Sequence, residues 1–141
     1  MIQDNTLLGF LAGIVVIGVL LAVVIVLTKK AVPQLDVNKY RTKWLAIEQA
    51  LKKDEQSTYF MTVMNADKLL DQALKERGIK GDTMGARMKT AQETWSNANA
   101  VWSAHKVRNR IAHETDVHIG YDEARRALAS FKQALKDIGA I

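Results

Sequence analysis

One ten-residue segment of this 141-residue chain concentrates side chains that could do chemistry. It holds two histidines, three basic residues and one asparagine, which are His105, His113, Lys106, Arg108, Arg110 and Asn109. An imidazole can transfer a proton near neutral pH, and a guanidinium can stabilise charge on a phosphate. Such a set could cleave an RNA phosphodiester without a metal ion, with the asparagine orienting either group. Because no carboxylates cluster with the histidines, the sequence predicts no metal site and no cofactor.

The spacing of these residues predicts a polar stripe along one helix. Trp102, His105, Asn109 and His113 follow one another at intervals of three, four and four residues, and Arg108 borders the stripe. Arg108 and His113 are five residues apart, which is about 140° around an ideal helix. They can therefore address one phosphate only if the helix unwinds near His113 or if the site forms between two copies of the chain.

A purely structural interpretation of the same segment remains open. Arg108 and Arg110 would then be solvated cations near a helix C-terminus, where the helix dipole favours positive charge. His113 would be a terminal residue that donates a hydrogen bond to a free backbone carbonyl.

Two residues are candidates for a supporting role. Asp67 falls between Val63 and Leu70 on the apolar side of an earlier helix, where a buried carboxylate would need a partner such as Arg108. The alternative is a boundary aspartate that reaches solvent or a lysine. His105 is either a second imidazole in the same cleft or a surface residue.

The segment from Arg108 to His113 (Arg-Asn-Arg-Ile-Ala-His) resembles the R-x(4–6)-H motif of the HEPN superfamily. These are small helical-bundle proteins, many of which are metal-independent endoribonucleases, and the motif lies on a late helix that one more amphipathic helix follows. The resemblance covers Val37–Ile138, although only residues 105–114 carry a specific motif.

The resemblance implies a role for each motif residue. Arg108 would contact the phosphate and stabilise its charge, His113 would transfer a proton, and Asn109 would be their polar partner. Family members commonly form homodimers in which two motifs face one cleft. Since some members have lost catalysis, the alternative is a non-catalytic adaptor that binds RNA, a nucleotide or a protein.

The elements that must position these residues are all predicted to be helices. Apolar residues recur at three- and four-residue spacing, and no segment alternates as a strand would. The spacing predicts helices over Asp36–Lys53, Ser57–Arg77, Ser96–His113 and Tyr121–Ile138, with a short helix after Thr83 that buries Met84 and Met88. The sequence therefore predicts an all-α domain over residues 37–141, a four- to five-helix up-and-down bundle.

A different kind of helix precedes this domain. Leu7–Leu27 is a run of 21 uncharged residues, apolar all round, and a helix of that length spans roughly 31 Å of a bilayer. A soluble core helix would show a polar stripe, and a cleaved signal peptide would carry positive charge before a shorter run. The sequence thus predicts a single-pass transmembrane helix in residues 1–30, followed by a short linker over residues 31–36. Gly9 and Gly13 form a Gly-x-x-x-Gly spacing, which suits helix association in lipid.

The charges that flank the apolar run predict its orientation. Lys29 and Lys30 follow it directly, whereas Asp4 is the only charged side chain before it. The positive-inside rule then places the N-terminus outside the cell membrane and the helical domain in the cytoplasm. The net charge of +5 suits anionic neighbours such as lipid headgroups or RNA, and the absence of cysteine excludes disulfides.

Overall fold

The computed structural model describes residues 2–29 and 31–141, which contain six α-helices and no strand. The helices are α1 (Ile2–Thr28), α2 (Val37–Ala50), α3 (Gln56–Glu76), α4 (Met84–Thr90), α5 (Ala98–His113) and α6 (Tyr121–Asp137). A 3-10 turn at Gln92–Thr94 separates α4 from α5. The predicted all-α class, with one apolar N-terminal helix followed by a helical bundle, is confirmed.

The chain divides into two compact units, the first ending at Val32 and the second running from Pro33 to Ile141. In the first unit, the 24 residues Asn5–Thr28 form one helix that is long and apolar enough to cross a membrane. At 1.5 Å per residue they extend about 36 Å, which exceeds the hydrocarbon thickness of about 30 Å. Lys29 is exposed after this helix, whereas Lys30 lies outside the described residues.

Side-chain caps fix where the helices of the second unit begin. The carboxylate of Asp36 accepts a hydrogen bond from the Lys39 amide at 3.0 Å, so α2 starts at Val37. The Thr83 hydroxyl caps α4 in the same way, by accepting from the Ala86 amide at 3.1 Å, and the helix begins after Thr83 as predicted. At α5 the cap is Asn97, so the helix begins two residues later than the predicted Ser96.

The core of the second unit forms around α3, which packs against α2, α4, α5 and α6. The largest fully buried side chains come from all five of these helices and are Tyr40, Phe131, Leu70, Leu74, Met88, Leu135, Val63, Val101 and Thr62. The apolar faces predicted for α3 and α6 are buried, and so are Met84 and Met88 of the short helix α4. Because α3 is central, a polar residue on its inner face must meet a partner from a neighbouring helix.

Truncation of the core at α3 tests this packing. We expect Leu70→Ala to lower the free energy of unfolding by about 2–5 kcal/mol, because Leu70 is fully buried and its removal leaves a cavity. Met61→Ala on the same helix is the matched control, since Met61 is 49% exposed, and it should change stability by less than about 0.5 kcal/mol. Denaturant unfolding of the full chain in micelles measures both, and equal effects would contradict the assigned core.

Candidate functional site

Most of the residues singled out from the sequence lie around one surface cleft of about 770 Å³. Its walls come from α3, from the start of α4 and from α5. The five predicted site residues all line it, and they are Asp67, His105, Arg108, Asn109 and His113. Lys68 of α3 adds a further cation to the same wall. The structure therefore places the two motif residues, Arg108 and His113, on one cleft of a single chain.

A buried carboxylate organises the inner wall of the cleft. Asp67 lies on the inner face of α3, four residues after Val63 and three before Leu70, and is only 3% exposed. Its Oδ1 lies 2.7 Å from Nδ1 of His105, and its Oδ2 lies 3.2 Å from Nε of Arg108. The second contact is an ion pair without an aligned hydrogen bond. Of the two interpretations of Asp67, the structure thus supports the partnered, buried carboxylate.

His105 is held in a defined orientation by its neighbours. It is 7% exposed, and the Trp102 ring meets it edge-on with the ring centroids 6.1 Å apart. Since the Asp67 carboxylate faces Nδ1 as an acceptor, the neutral ring carries its proton there and leaves a lone pair on Nε2. Among the described residues Nε2 has no hydrogen-bond partner, and the side chain lines the cleft. His105 is therefore a buried imidazole at the cleft wall, which excludes the surface interpretation.

The Arg108 guanidinium is fixed from two sides. Besides its ion pair with Asp67, its Nη1 donates to the amide oxygen of Asn109 at 2.9 Å. Among the described residues Nη2 has no partner, so one edge of the guanidinium can bind an oxyanion. The amide of Asn109 orients the arginine, which is one of the two roles that its position predicts.

His113 is the last residue of α5, and its side chain is exposed at the cleft. The helix does not unwind before it, because the Glu114 amide still donates to the Arg110 carbonyl at 2.9 Å. Of the two possibilities considered from the sequence, unwinding is thereby excluded, and a site formed between two copies stays a prediction. Within the part of the chain that the structure describes, the His113 ring caps no carbonyl either.

Arg110 takes no part in the cleft. Its Nη1 pairs with Glu123 of α6 at 2.7 Å, and its Nη2 donates to the His118 carbonyl at 3.3 Å. This arginine ties the α5–α6 loop to the bundle, and the exposed His118 side chain has no contact with the site.

An ion pair that the sequence analysis missed supports the other wall. Arg87 of α4 is 6% exposed, and its Nε and Nη2 both lie 2.7 Å from Oδ1 of Asp71 on α3. Its Nη1 also donates to the Gly81 carbonyl, which fixes the loop before α4. Burial alone would raise the pKa of Asp71, but hydrogen bonds from Lys75 and Arg87 outweigh it and lower the pKa. No spacing rule links residues 71 and 87, because only the packing of α4 on α3 brings them together.

Gly85 is the second feature that no sequence signal revealed. It lies in α4 against the aromatic side of the cleft, where a Cβ would be 3.8 Å from the Trp102 ring and 3.9 Å from Nε2 of His105. The glycine thus leaves the space beside that nitrogen open.

Comparisons with protein-family models, with curated proteins and with the solved structures found no match to this chain. Among the described residues, no group of three or more histidine, cysteine, aspartate or glutamate side chains is arranged to hold a metal ion.

The pH dependence of stability tests the Asp71 ion pair. Because the folded-state pKa of Asp71 is lowered, its carboxylate stabilises the fold above its unfolded pKa of about 3.9, and that contribution is lost as the pH falls through the folded value. We expect Asp71→Asn to lower the melting temperature most above about pH 5 and to approach the wild type progressively as the pH falls below the unfolded pKa of about 3.9.

Asp116→Asn, in the exposed loop before α6, is the control and should follow the wild type throughout. Thermal melts across this range measure the three proteins. An offset between Asp71→Asn and the wild type that is constant with pH would contradict the charged pair.

Proposed function

We propose that this chain is a membrane-anchored, HEPN-like endoribonuclease that cleaves RNA without a metal ion. The observation that carries the proposal is the arrangement of Arg108 and His113 on one cleft, with the guanidinium held by Asp67 and Asn109. A guanidinium fixed before the substrate binds stabilises charge on a phosphate at little reorganisation cost. An exposed imidazole that lines the same cleft can exchange a proton with a ribose or leaving oxygen.

The cleft suits a nucleotide unit in size, and it presents two cations to it. At about 770 Å³ it falls in the range of small-molecule sites, which is enough for a nucleotide unit of a longer strand. Arg108 and Lys68 supply cations for the nucleic-acid backbone, while the two carboxylates of the same lining, Asp67 and Asp71, are already paired within the domain.

In this proposal the apolar helix α1 is a single-pass anchor, with the N-terminus outside and the bundle in the cytoplasm, where RNA is available. Lys29 and Lys30 after the apolar run support that orientation. The proposal includes a homodimer through the motif-bearing helix α5. Confinement to a membrane favours such pairing because it raises the effective concentration of the second copy.

Cleavage assays with matched variants test the proposed activity. The full chain in detergent micelles should cut single-stranded RNA in the presence of EDTA and leave a 2′,3′-cyclic phosphate. Removal of a proton-transfer or charge-stabilising group typically costs about 10²- to 10⁴-fold, so Arg108→Ala and His113→Ala should each lose at least about a hundredfold in rate.

Two surface substitutions serve as controls for that assay. Arg125→Ala and His118→Ala remove the same residue types from exposed positions away from the cleft, and both should keep the wild-type rate. Cleavage that survives both motif substitutions would exclude a nuclease built on this motif.

The second candidate function is a non-catalytic adaptor that holds RNA, a nucleotide or a protein at the membrane. One observation favours it: the Asp67 carboxylate already pairs with Arg108 inside the domain. An adaptor would bind a single-stranded oligonucleotide in the same cleft, lose affinity in Arg108→Ala, and show no cleavage in the wild type.

Cysteine labelling tests the orientation, since the natural chain has no cysteine. We expect Asp116→Cys, in the exposed α5–α6 loop, to react with a membrane-impermeant maleimide only after permeabilisation of the cells, because this loop belongs to the cytoplasmic domain. Asn5→Cys, before the apolar run, should react in intact cells. The reverse pattern would place the domain outside.

A further inference from the structure

We infer that His105 is the general base of the proposed reaction and that Asp67 is its positioning residue, with His113 of the second copy in the proposed homodimer as the general acid. This assignment rests on the proposed function and specifies the roles within the same cleft. The motif resemblance concerns Arg108, Asn109 and His113 alone. The case for His105 comes from its own contacts.

The orientation of the His105 ring comes first. Asp67 is buried and lies 2.7 Å from Nδ1 of His105, so the carboxylate fixes the tautomer that carries its proton on Nδ1. Nε2 is then the basic nitrogen. It has no hydrogen-bond partner among the described residues, and it lies beside Gly85, where no side chain fills the space.

The second step is the coupling between base and guanidinium. His105 and Arg108 are three residues apart on α5, so their side chains project from neighbouring positions on one face. They contact different oxygens of the one Asp67 carboxylate, Oδ1 and Oδ2. A single buried group therefore sets the distance between a proton acceptor and a phosphate-binding group.

The third step is the position of the two imidazoles relative to Arg108. His105 precedes and His113 follows the arginine on α5, and eight residues separate the two histidines by about 12 Å along the helix axis. The two oxygens that react at one phosphorus lie much closer together than this, and α5 does not unwind, so the acid that serves a phosphate at Arg108 is His113 of the second copy in the proposed homodimer. His113 is exposed at the cleft and can exchange protons with water, as an acid that must be recharged in each turnover requires.

The reaction follows from these positions. Nε2 of His105 takes the proton of the ribose 2′-hydroxyl, and the 2′-oxygen forms a bond to phosphorus. The bond between phosphorus and the 5′-oxygen breaks with its electron pair on that oxygen, which takes a proton from the protonated His113 of the second copy. The products are a 2′,3′-cyclic phosphate and a 5′-hydroxyl, and exchange with water returns His105 to its neutral form and His113 to its protonated form.

The test uses two substrates that differ in one atom. The full chain in detergent micelles with EDTA is given a single-stranded RNA oligonucleotide and its analogue with sulfur in place of the 5′-bridging oxygen at the cleavage site. A thiol has a pKa of about 8.5 and is far more acidic than an alcohol, so the thiolate can leave without taking up a proton. Loss of the general acid is therefore rescued by the sulfur substrate, and loss of the base is not.

We expect His113→Gln to lose about a hundredfold or more on the oxygen substrate and to recover most of that rate on the sulfur substrate. His105→Gln should lose about 10²- to 10⁴-fold on both substrates. Asp67→Asn, which keeps the side-chain size but not the charge, should also lose rate on both. His118→Gln, at the exposed third histidine, is the control and should behave as the wild type.

Binding of an oligonucleotide with a 2′-deoxyribose at the cleavage site separates a catalytic role from a structural one. Its affinity should change less than about twofold in His105→Gln, since the base acts on the missing hydroxyl, whereas a distorted cleft would weaken binding. If the melting curve shows that His105→Gln does not fold, the rates of Asp67→Asn on the two substrates test the role of His105 in its place.

The outcomes distinguish this inference from the proposed function. Three results would overturn the assignment of His105 but leave the proposed nuclease activity intact. They are a wild-type rate in His105→Gln or Asp67→Asn, rescue of His105→Gln by the sulfur substrate, and lost affinity of His105→Gln for the deoxy oligonucleotide. A wild-type chain that cleaves neither substrate would overturn the proposed function and this assignment with it.

Discussion

The burial of the Asp67 carboxylate is the constraint on which the arrangement of the cleft depends. Asp67 lies on the inner face of α3, the helix that contacts all four other helices of the bundle. A charge removed that far from water must be matched by donors or cations, and both come from α5, as His105 and Arg108. The rotation of α5 about its axis is thereby fixed, and this rotation places Asn109 and His113 along the cleft.

Stability alone does not account for this buried trio. An ion pair in a protein interior rarely stabilises the fold more than apolar side chains of similar size, because both charges lose their hydration. An apolar residue at position 67 would continue the stripe formed by Val63 and Leu70. What the carboxylate provides instead is a fixed imidazole and a fixed guanidinium on one helix face, which is the preorganisation that a catalytic or anion-binding site needs.

More of the fold than of the candidate site could be predicted from the sequence. Helical spacing is a local property, so the faces of α3 and α6 and the Thr83 cap follow from the order of residues. The partners of Asp67 depend on how α3 packs against α5. The helical spacing of the sequence therefore could not decide whether Asp67 is paired or whether His105 is buried. The Asp71–Arg87 pair and the place of Gly85 depend on the docking of α4, whose seven residues carry too little pattern to predict it.

The two units of the chain differ in whether their apolar side chains are buried within the protein, and they differ accordingly in what each contributes to the proposed function. The bundle buries apolar residues from α2 to α6 in a core of its own. In α1, by contrast, every side chain from Asn5 to Thr28 is exposed, and no polar stripe marks a face for packing. A helix of that kind is stable in lipid and costly in water. In the proposed function this helix determines where the bundle acts, whereas the residues that could do chemistry are positioned entirely by α3, α4 and α5.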